Sequence, residues 1–180
     1  MGNTTQGNAV LVTGASKANF GGYTPFETQS ITRAANTTAY SAGDVITGAS
    51  DAAFVFTKAS KTGGWIVSAK LNTADTGAIG DFTLHFMSAK PATFVDGGAF
   101  TLTSLEYANS YYGSVTLTAG TTGTLTSTAI DTSLRIPYAS DGNIYAILVT
   151  DDGITPVSAS VWYITLGFEN NIPEAFPTAR

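Results

Sequence analysis

The chain has 180 residues, enough for one ordinary domain, and 43% of them are hydrophobic, which excludes an intrinsically disordered protein. Charged residues account for only 12%, whereas Thr and Ser contribute 29 and 15 residues. A surface built from hydroxyl groups argues against a helical bundle, and together with ten Phe and eight Tyr it favours β-strands. The net charge of −5 excludes the strongly basic surface on which nucleic-acid binding depends.

Cysteine is absent from the sequence, so disulfides, thiolate metal ligands and cysteine nucleophiles are excluded. The first residues show neither the basic start nor the apolar stretch of a signal peptide. The longest apolar run, from Ile144 to Val149, is far too short to span a membrane. We therefore expect a protein that is synthesised in a cytoplasm, stays soluble and binds no membrane.

The two ends of the chain differ in composition from the middle. Residues 1–27 are rich in Gly, Asn and Thr, and residues 169–180 contain two prolines, which do not fit inside a sheet. We therefore predict a folded domain over residues 28–168, between an extended N-terminal arm and an extended C-terminal arm. Six apolar residues of the arms are candidate anchors for contacts between subunits: Val10, Leu11, Phe20, Phe26, Ile172 and Phe176.

Short runs of alternating apolar and polar residues, separated by turns rich in Gly, Asp and Asn, fill the predicted domain. The clearest runs give three strands one apolar face each: Trp65, Val67, Ala69 and Leu71; Phe82, Leu84 and Phe86; Trp162, Ile164, Leu166 and Phe168. Shorter strands are predicted at Gln29–Arg33, Asp44–Thr47, Ala53–Thr57, Phe100–Thr103, Ser114–Thr118 and Ile144–Thr150. With a single helical turn predicted at Ser104–Asn109, the pattern is typical of an all-β antiparallel sandwich or barrel.

The sequence offers little for catalysis. His85 is the only histidine, and the alternation places it on the solvent face of a strand, where a lone imidazole cannot build a zinc site. No Gly-x-Ser-x-Gly motif is present, and most aspartates stand beside Gly in predicted turns. We therefore expect no enzyme, no cofactor and no resident metal, although a calcium ion bound in a turn near Asp141 or Asp151–Asp152 stays open.

The densest aromatic group consists of Tyr107, Tyr111 and Tyr112. Aromatic rings at such a position either pack in the core or face a ligand, for example by stacking on a sugar ring. Both interpretations stay open from the sequence, and the second makes these three tyrosines candidate ligand-facing residues.

One long segment carries a specific resemblance. From Gln29 to Ile46 the chain reads QSITRAANTTAYSAGDVI, which resembles the opening of the folded domain in a group of structural proteins of tailed bacteriophages. Further phrases follow in the same order as in that group: GWIVSAKL from Gly64, FTLHFMSAKP from Phe82, DGGAFTL from Asp96, YGSV from Tyr112 and IYAILVTDDGITPVS from Ile144. The resemblance covers roughly residues 28–168 and includes neither arm.

The resemblance implies a virion protein, a capsid decoration (cement) protein of jelly-roll type on the outer capsid surface. Its implied partners are the lattice of the major capsid protein and further copies of this chain in a homotrimer. It implies no catalytic residue. Gly97 departs from the pattern, because the group tends to carry Asn there; both residues tolerate a positive φ, so we expect the turn to persist. The alternative is a carbohydrate- or receptor-binding jelly-roll module of a phage tail or fibre.

Overall fold

The computed structural model describes residues 26–57, 63–78, 80–118, 126–127, 134–139 and 143–170. These residues form ten β-strands and one short helix. In chain order the elements are β1 (Phe26–Thr32), β2 (Val45–Ile46), β3 (Phe54–Phe56), β4 (Gly64–Thr73), β5 (Asp81–Met87), α1 (Ser104–Ser110), β6 (Tyr111–Thr118), β7 (Thr126–Ser127), β8 (Ile136–Tyr138), β9 (Ile144–Thr150) and β10 (Val161–Asn170).

The strands form two sheets, and every described pair is antiparallel. Sheet 1 has the order β1-β10-β4-β7, with β8 also paired to β4. Sheet 2 has the order β2-β9-β5-β6, with β3 also paired to β9. Side chains from both sheets meet in one core, where the rings of Phe82 and Trp162 lie edge to face at 5.5 Å. The predicted antiparallel β-sandwich is therefore confirmed.

The two strands with the cleanest alternation behave as predicted. Phe82, Leu84 and Phe86 of β5 and the four apolar residues of β10 are all fully buried in the core between the sheets. A strand places alternate residues on opposite faces, so a strict period of two fixes which side faces the core.

Strand β4 departs from its predicted register. Gly167 pairs with Ser68 but the next residue, Phe168, pairs with Ile66, so Val67 is an extra residue in a β-bulge. The core then receives Ile66 together with Ala69 and Leu71, whereas Trp65 and Val67 are only half-buried. The prediction that Trp65 and Val67 share a face with Ala69 is wrong, because a bulge shifts the alternation by one residue.

Three further differences concern short elements. The helical turn predicted at Ser104–Asn109 is confirmed, but residues 100–103, predicted as a strand, lead into that helix without strand pairing. Strands β7 and β8 were not expected from the sequence. Strand β8 contains an exposed proline, Pro137, which argues against a central strand and is tolerated because β8 lies at the side of its sheet.

Sheet 1 extends beyond the limits predicted for the domain. Phe26 pairs with Gly167 at the start of β1, and Glu169 and Asn170 pair with β4 at the end of β10. The sheet therefore includes two residues on each side of the predicted range 28–168. Within this sheet, Glu27 is buried and its carboxylate accepts hydrogen bonds from the backbone N–H of Thr57.

Residues 88–110, which we call the cover, lie over the outer face of sheet 2. The N–H of Ser88 donates to the carbonyl of Ser110 at 2.8 Å, so the excursion closes on itself. Phe94, Phe100 and Leu102 of the cover pack on a second apolar cluster that contains Val45, Met87, Ile147 and Val149 of sheet 2. Sheet 2 is therefore packed on both faces, whereas sheet 1 carries exposed outer residues such as Thr28 and Tyr163.

One backbone position is strained in a way that predicts a stabilising substitution. Ala159 has φ of 54°, a left-handed conformation that costs a residue with a Cβ about 1–2 kcal/mol. We expect Ala159→Gly to raise the free energy of unfolding by about 0.5–1 kcal/mol. The relief of backbone strain in the folded state exceeds the cost of the conformational entropy that Gly adds to the unfolded chain. Urea denaturation measures the change. Ala92→Gly, at an exposed site without a positive φ, is the control and should not stabilise; equal effects of the two changes would contradict the account.

Candidate functional site

Four aromatic rings lie in a row on the outer side of sheet 2. We call them the aromatic row; in order they are Phe100, His85, Tyr111 and Tyr107. Phe100 and His85 stack at 4.2 Å between ring centroids, and His85 lies 5.9 Å from Tyr111. Tyr111 then stacks on Tyr107 at 5.0 Å with an angle of 22° between the rings. Tyr107 is 62% exposed, so the row ends at an aromatic ring that solvent reaches.

Local structure fixes the outer end of this row. Thr103 caps α1 with its side chain, and the Glu106 side chain returns to the backbone N–H of Thr103, which completes a capping box. Glu106 also accepts a hydrogen bond from the backbone N–H of Ala92 at 2.7 Å. The bonds from Ala92 and Thr103 lower the pKa of Glu106. The helix that presents Tyr107 is thus tied to the rest of the cover.

The three candidate tyrosines divide between two sides of the sheet. Tyr107 and Tyr111 meet in the aromatic row, whereas Tyr112 packs against the main core. Adjacent residues of a strand point to opposite faces, which separates Tyr111 from Tyr112. The hydroxyl of Tyr112 is buried, and within the described part of the chain it has no hydrogen-bond partner.

His85 occupies the centre of the row. The prediction that it faces solvent is wrong, because the cover lies on that face of sheet 2 and places Phe100 against the imidazole. Its Nδ1 lies 3.1 Å from the hydroxyl oxygen of Tyr111. Burial lowers the pKa of His85 to about 4, so the ring is neutral at pH 7. The sequence could not reveal this position, because nothing in the alternation of β5 indicates a second layer.

Only one of the six candidate anchors belongs to the described residues. Phe26 is 63% exposed, and its ring lies against the backbone of Gly167, where a Cβ would come within 2.9 Å of the ring. The other five, Val10, Leu11, Phe20, Ile172 and Phe176, lie outside the described residues.

A buried polar network joins distant parts of the chain. The Tyr40 hydroxyl accepts a hydrogen bond from Arg33 Nε and donates one to Asp96 Oδ1, both at 2.6 Å. Arg33 Nη2 also lies 3.6 Å from Asp96 Oδ2, and the arginine side chain is fully buried. Burial and the bond to Asp96 raise the pKa of Tyr40, although Arg33 opposes this shift. Tyr40 therefore stays a neutral hydroxyl between a cation and an anion.

Further bonds tie this network to neighbouring turns. Asp96 Oδ1 accepts from the backbone N–H of Thr47, and the N–H of Asp96 donates to the side chain of Asp51. Arg33 Nη2 donates to Asn36, whereas Arg33 Nη1 has no partner among the described residues. The network thus holds the cover, through Asp96, to the chain that follows β1 and to the end of β2.

The network consists of residues from two of the sequence phrases described above. Arg33, Asn36 and Tyr40 belong to the first phrase, and Asp96 opens a later one. Gly97, the departure from the pattern, has φ of 71°, so the expected turn with positive φ is present. The sequence did not predict that these residues contact one another. The presence of an arginine in a chain with so few charged residues was a usable signal of a buried polar site.

The aspartates of the turns act as acceptors for the backbone and for a hydroxyl. Asp75 accepts from the N–H groups of Gly77 and Val157, and Asp152 accepts from the N–H of Asp81. Asp151 accepts from the Thr83 hydroxyl. Across the described ranges, no three His, Cys, Asp or Glu side chains come together as a metal site would require. Asp141, the other candidate for a calcium turn, lies outside those ranges.

Comparisons with known proteins give no relative. No protein-family model, no curated protein and no solved structure matches this chain. Among the described residues, no helix has the length and apolar character needed to cross a membrane.

The buried network predicts a large effect of one hydroxyl. Tyr40→Phe removes a group that bridges Arg33 and Asp96 and leaves Arg33 with fewer partners, so we expect a loss of about 2–3 kcal/mol in the free energy of unfolding. Tyr163→Phe, at an exposed hydroxyl, is the matched control and should change stability by less than about 0.5 kcal/mol. Denaturant unfolding of both variants checks this, and similar values for the two would refute the role of Tyr40.

Proposed function

We propose that this chain is a non-enzymatic virion structural protein, a decoration protein that binds the outside of a tailed-phage capsid. The observation that carries the proposal is the convergence of Arg33, Asn36, Tyr40 and Asp96 in one buried network. These residues belong to the phrases that resemble phage structural proteins. They have a physical role in joining the cover to the sandwich, which gives the resembling phrases a structural task in this chain.

The strand order supports the jelly-roll form of the proposal. If β2 and β3 are counted as one interrupted strand, and β7 and β8 as another, the ten strands reduce to eight. In that numbering the sheets have the orders 1-8-3-6 and 2-7-4-5. Two four-stranded antiparallel sheets with these strand orders are typical of a jelly roll.

The chemistry of the surface also supports a role in binding to a lattice. The carboxylates of Asp75, Asp96 and Glu27 accept hydrogen bonds within the domain. The outer face of sheet 1 carries pairs of hydroxyl groups, such as those of Thr28 and Thr165, whose oxygen atoms lie 2.8 Å apart. A protein that binds only the assembled lattice stabilises that lattice by mass action. Contacts of the two chain ends with neighbouring subunits, which the sequence predicts, would raise the effective affinity further.

Localisation in the particle tests the proposal directly. Antibodies raised against the full chain are applied to purified virions of the source phage, and bound antibody is located by electron microscopy. We expect label over the capsid surface. Label confined to the tail would favour the alternative function, and virions without label would overturn the virion assignment.

The arms give a second test. We expect the purified chain to scatter light as a trimer, with three times the chain mass of 18.6 kDa. Changing Ile172 and Phe176 to Ser should weaken self-association or capsid binding about tenfold or more, because each large apolar side chain contributes about 1.5–3 kcal/mol when buried. Changing Asn171 and Thr178 to Ser is the control. Circular dichroism verifies folding, and full binding by the Ile172/Phe176 variant would exclude these anchors.

A second candidate function rests on the exposed end of the aromatic row. Tyr107 presents a ring face to solvent, and its stacking on Tyr111 holds the ring in place, as sugar-binding platforms require. A carbohydrate-binding tail or fibre module would use this ring. We then expect Tyr107→Ala to abolish binding to purified host-cell polysaccharide, with Tyr163→Ala as the exposed control. Equal binding by both variants and the unmodified chain would exclude the platform.

A further inference from the structure

We propose that helix α1 is the element with which this chain contacts a capsid lattice, and that it inserts as a ridge into an uncharged, apolar groove of the lattice protein. The inference rests on the proposed function and adds to it the binding surface of this chain and the chemistry of its partner. Two large apolar side chains of the helix carry it: Leu105 is 70% exposed and Tyr107 is 62% exposed.

The helix is open to solvent on two opposite flanks. Successive residues of an α-helix are about 100° apart, so Leu105 and Tyr107 point about 200° apart, to nearly opposite sides. Both side chains are exposed, and none of the seven residues of α1 is buried against the described part of the chain. A helix with two exposed apolar flanks forms a ridge. A concave partner surface covers both flanks of a ridge, whereas a flat surface covers only one.

Local bonds hold this exposed helix in place without burying it. The capping box of Thr103 and Glu106 fixes its first turn, and the N–H of Ala92 donates to Glu106 at 2.7 Å. At the other end, the N–H of Ser88 donates to the carbonyl of Ser110. A helix this short is marginal in water by itself, so these bonds keep it ordered before any partner binds. A preformed element loses less conformational entropy on binding than a segment that must first become ordered.

The charge on the helix points to an uncharged partner surface. Glu106 is the one charged residue in the sequence of α1, and its carboxylate accepts bonds from the N–H groups of Ala92 and Thr103 and from the Thr103 hydroxyl. The exposed side chains of the helix are uncharged: Ser104, Leu105, Tyr107, Ala108 and Asn109. A charged groove would lose hydration here without gaining an ionic partner, whereas an apolar groove with a few hydrogen-bonding groups matches this surface.

The size of the helix favours a lattice over a single partner molecule. Seven residues of α-helix extend about 10 Å, whereas a stable interface between two free proteins buries about 1,200–2,000 Å². A second copy of the chain would therefore not stay bound through α1 alone. A lattice repeats its groove, so each chain of the proposed homotrimer can insert one ridge. Several weak contacts made together then give a high effective affinity.

Co-sedimentation of the full chain with capsids of the source phage that lack this protein tests the inference. Leu105→Gln replaces an apolar side chain with a polar one of good helix propensity. We expect this change to lower the apparent affinity about tenfold or more, because the burial of a leucine side chain is lost. Val157→Thr, at an exposed valine outside the cover, is the matched control and should bind like the unmodified chain. Equal binding by the two variants would overturn the inference.

A site-specific label shows whether α1 itself enters the contact. The chain has no cysteine, so Ala108→Cys and Ser158→Cys each accept one solvent-sensitive fluorophore at an exposed site. Capsids should shift the emission of the label at 108 to shorter wavelength, or be blocked from binding by that label alone, and should leave the label at 158 unaffected. Equal effects at both positions, or bound chain without a shift at 108, would overturn the inference.

The behaviour of the unmodified chain separates this inference from the proposed function. If the unmodified chain does not sediment with capsids, the decoration function fails and the inference fails with it. If it sediments and Leu105→Gln binds equally well, the decoration function stands and only the role of α1 is lost. A Tyr107→Ala variant that keeps capsid binding but loses binding to host-cell polysaccharide would assign the helix to the carbohydrate-binding alternative and overturn the inference.

Discussion

A buried guanidinium sets the main constraint on this fold. Arg33 is enclosed by protein, and the loss of its hydration is offset only when Tyr40, Asn36 and Asp96 are all in position. Asp96 comes from the cover, 56 residues beyond Tyr40 in the chain. The domain therefore cannot satisfy the polar groups next to its first strand until the cover is in place. This dependence makes the cover part of the fold and not an appended loop.

The cover is attached at two places with different chemistry. Asp96 joins the buried polar network, and Phe100 stacks on His85 in the aromatic row. The first attachment is ionic and continues to the main chain of Thr47, directly after β2. The second is aromatic and continues to the exposed ring of Tyr107. Any ligand or partner that binds Tyr107 therefore acts on a segment whose position is linked to the core.

Sequence reasoning succeeded where one local rule decides the structure. The alternation in β5 and β10 predicted their buried faces, and turn residues rich in Asp and Gly marked both ends of β9. It failed where a distant element intervenes. A single extra residue, Val67, shifted the face of Trp65, and the cover converted the predicted solvent face at His85 into a second packed layer. The buried network could not be assembled from sequence, because it depends on contacts between residues far apart in the chain.

A double-mutant cycle on Arg33 and Asp96 tests the central dependence most directly. The free energy of unfolding is measured for the unmodified chain, Arg33→Met, Asp96→Asn and the double variant. Asp96→Asn should cost about 2 kcal/mol or more, because it leaves the fully buried guanidinium of Arg33 without its anion. Arg33→Met should cost less, because the Asp96 side chain that it leaves behind is 21% exposed and keeps its bonds to Tyr40 and Thr47. The double variant should lose at least about 1 kcal/mol less than the sum of the two. Additive losses, equal to the sum within about 0.5 kcal/mol, would show that the two residues act independently and would contradict the account.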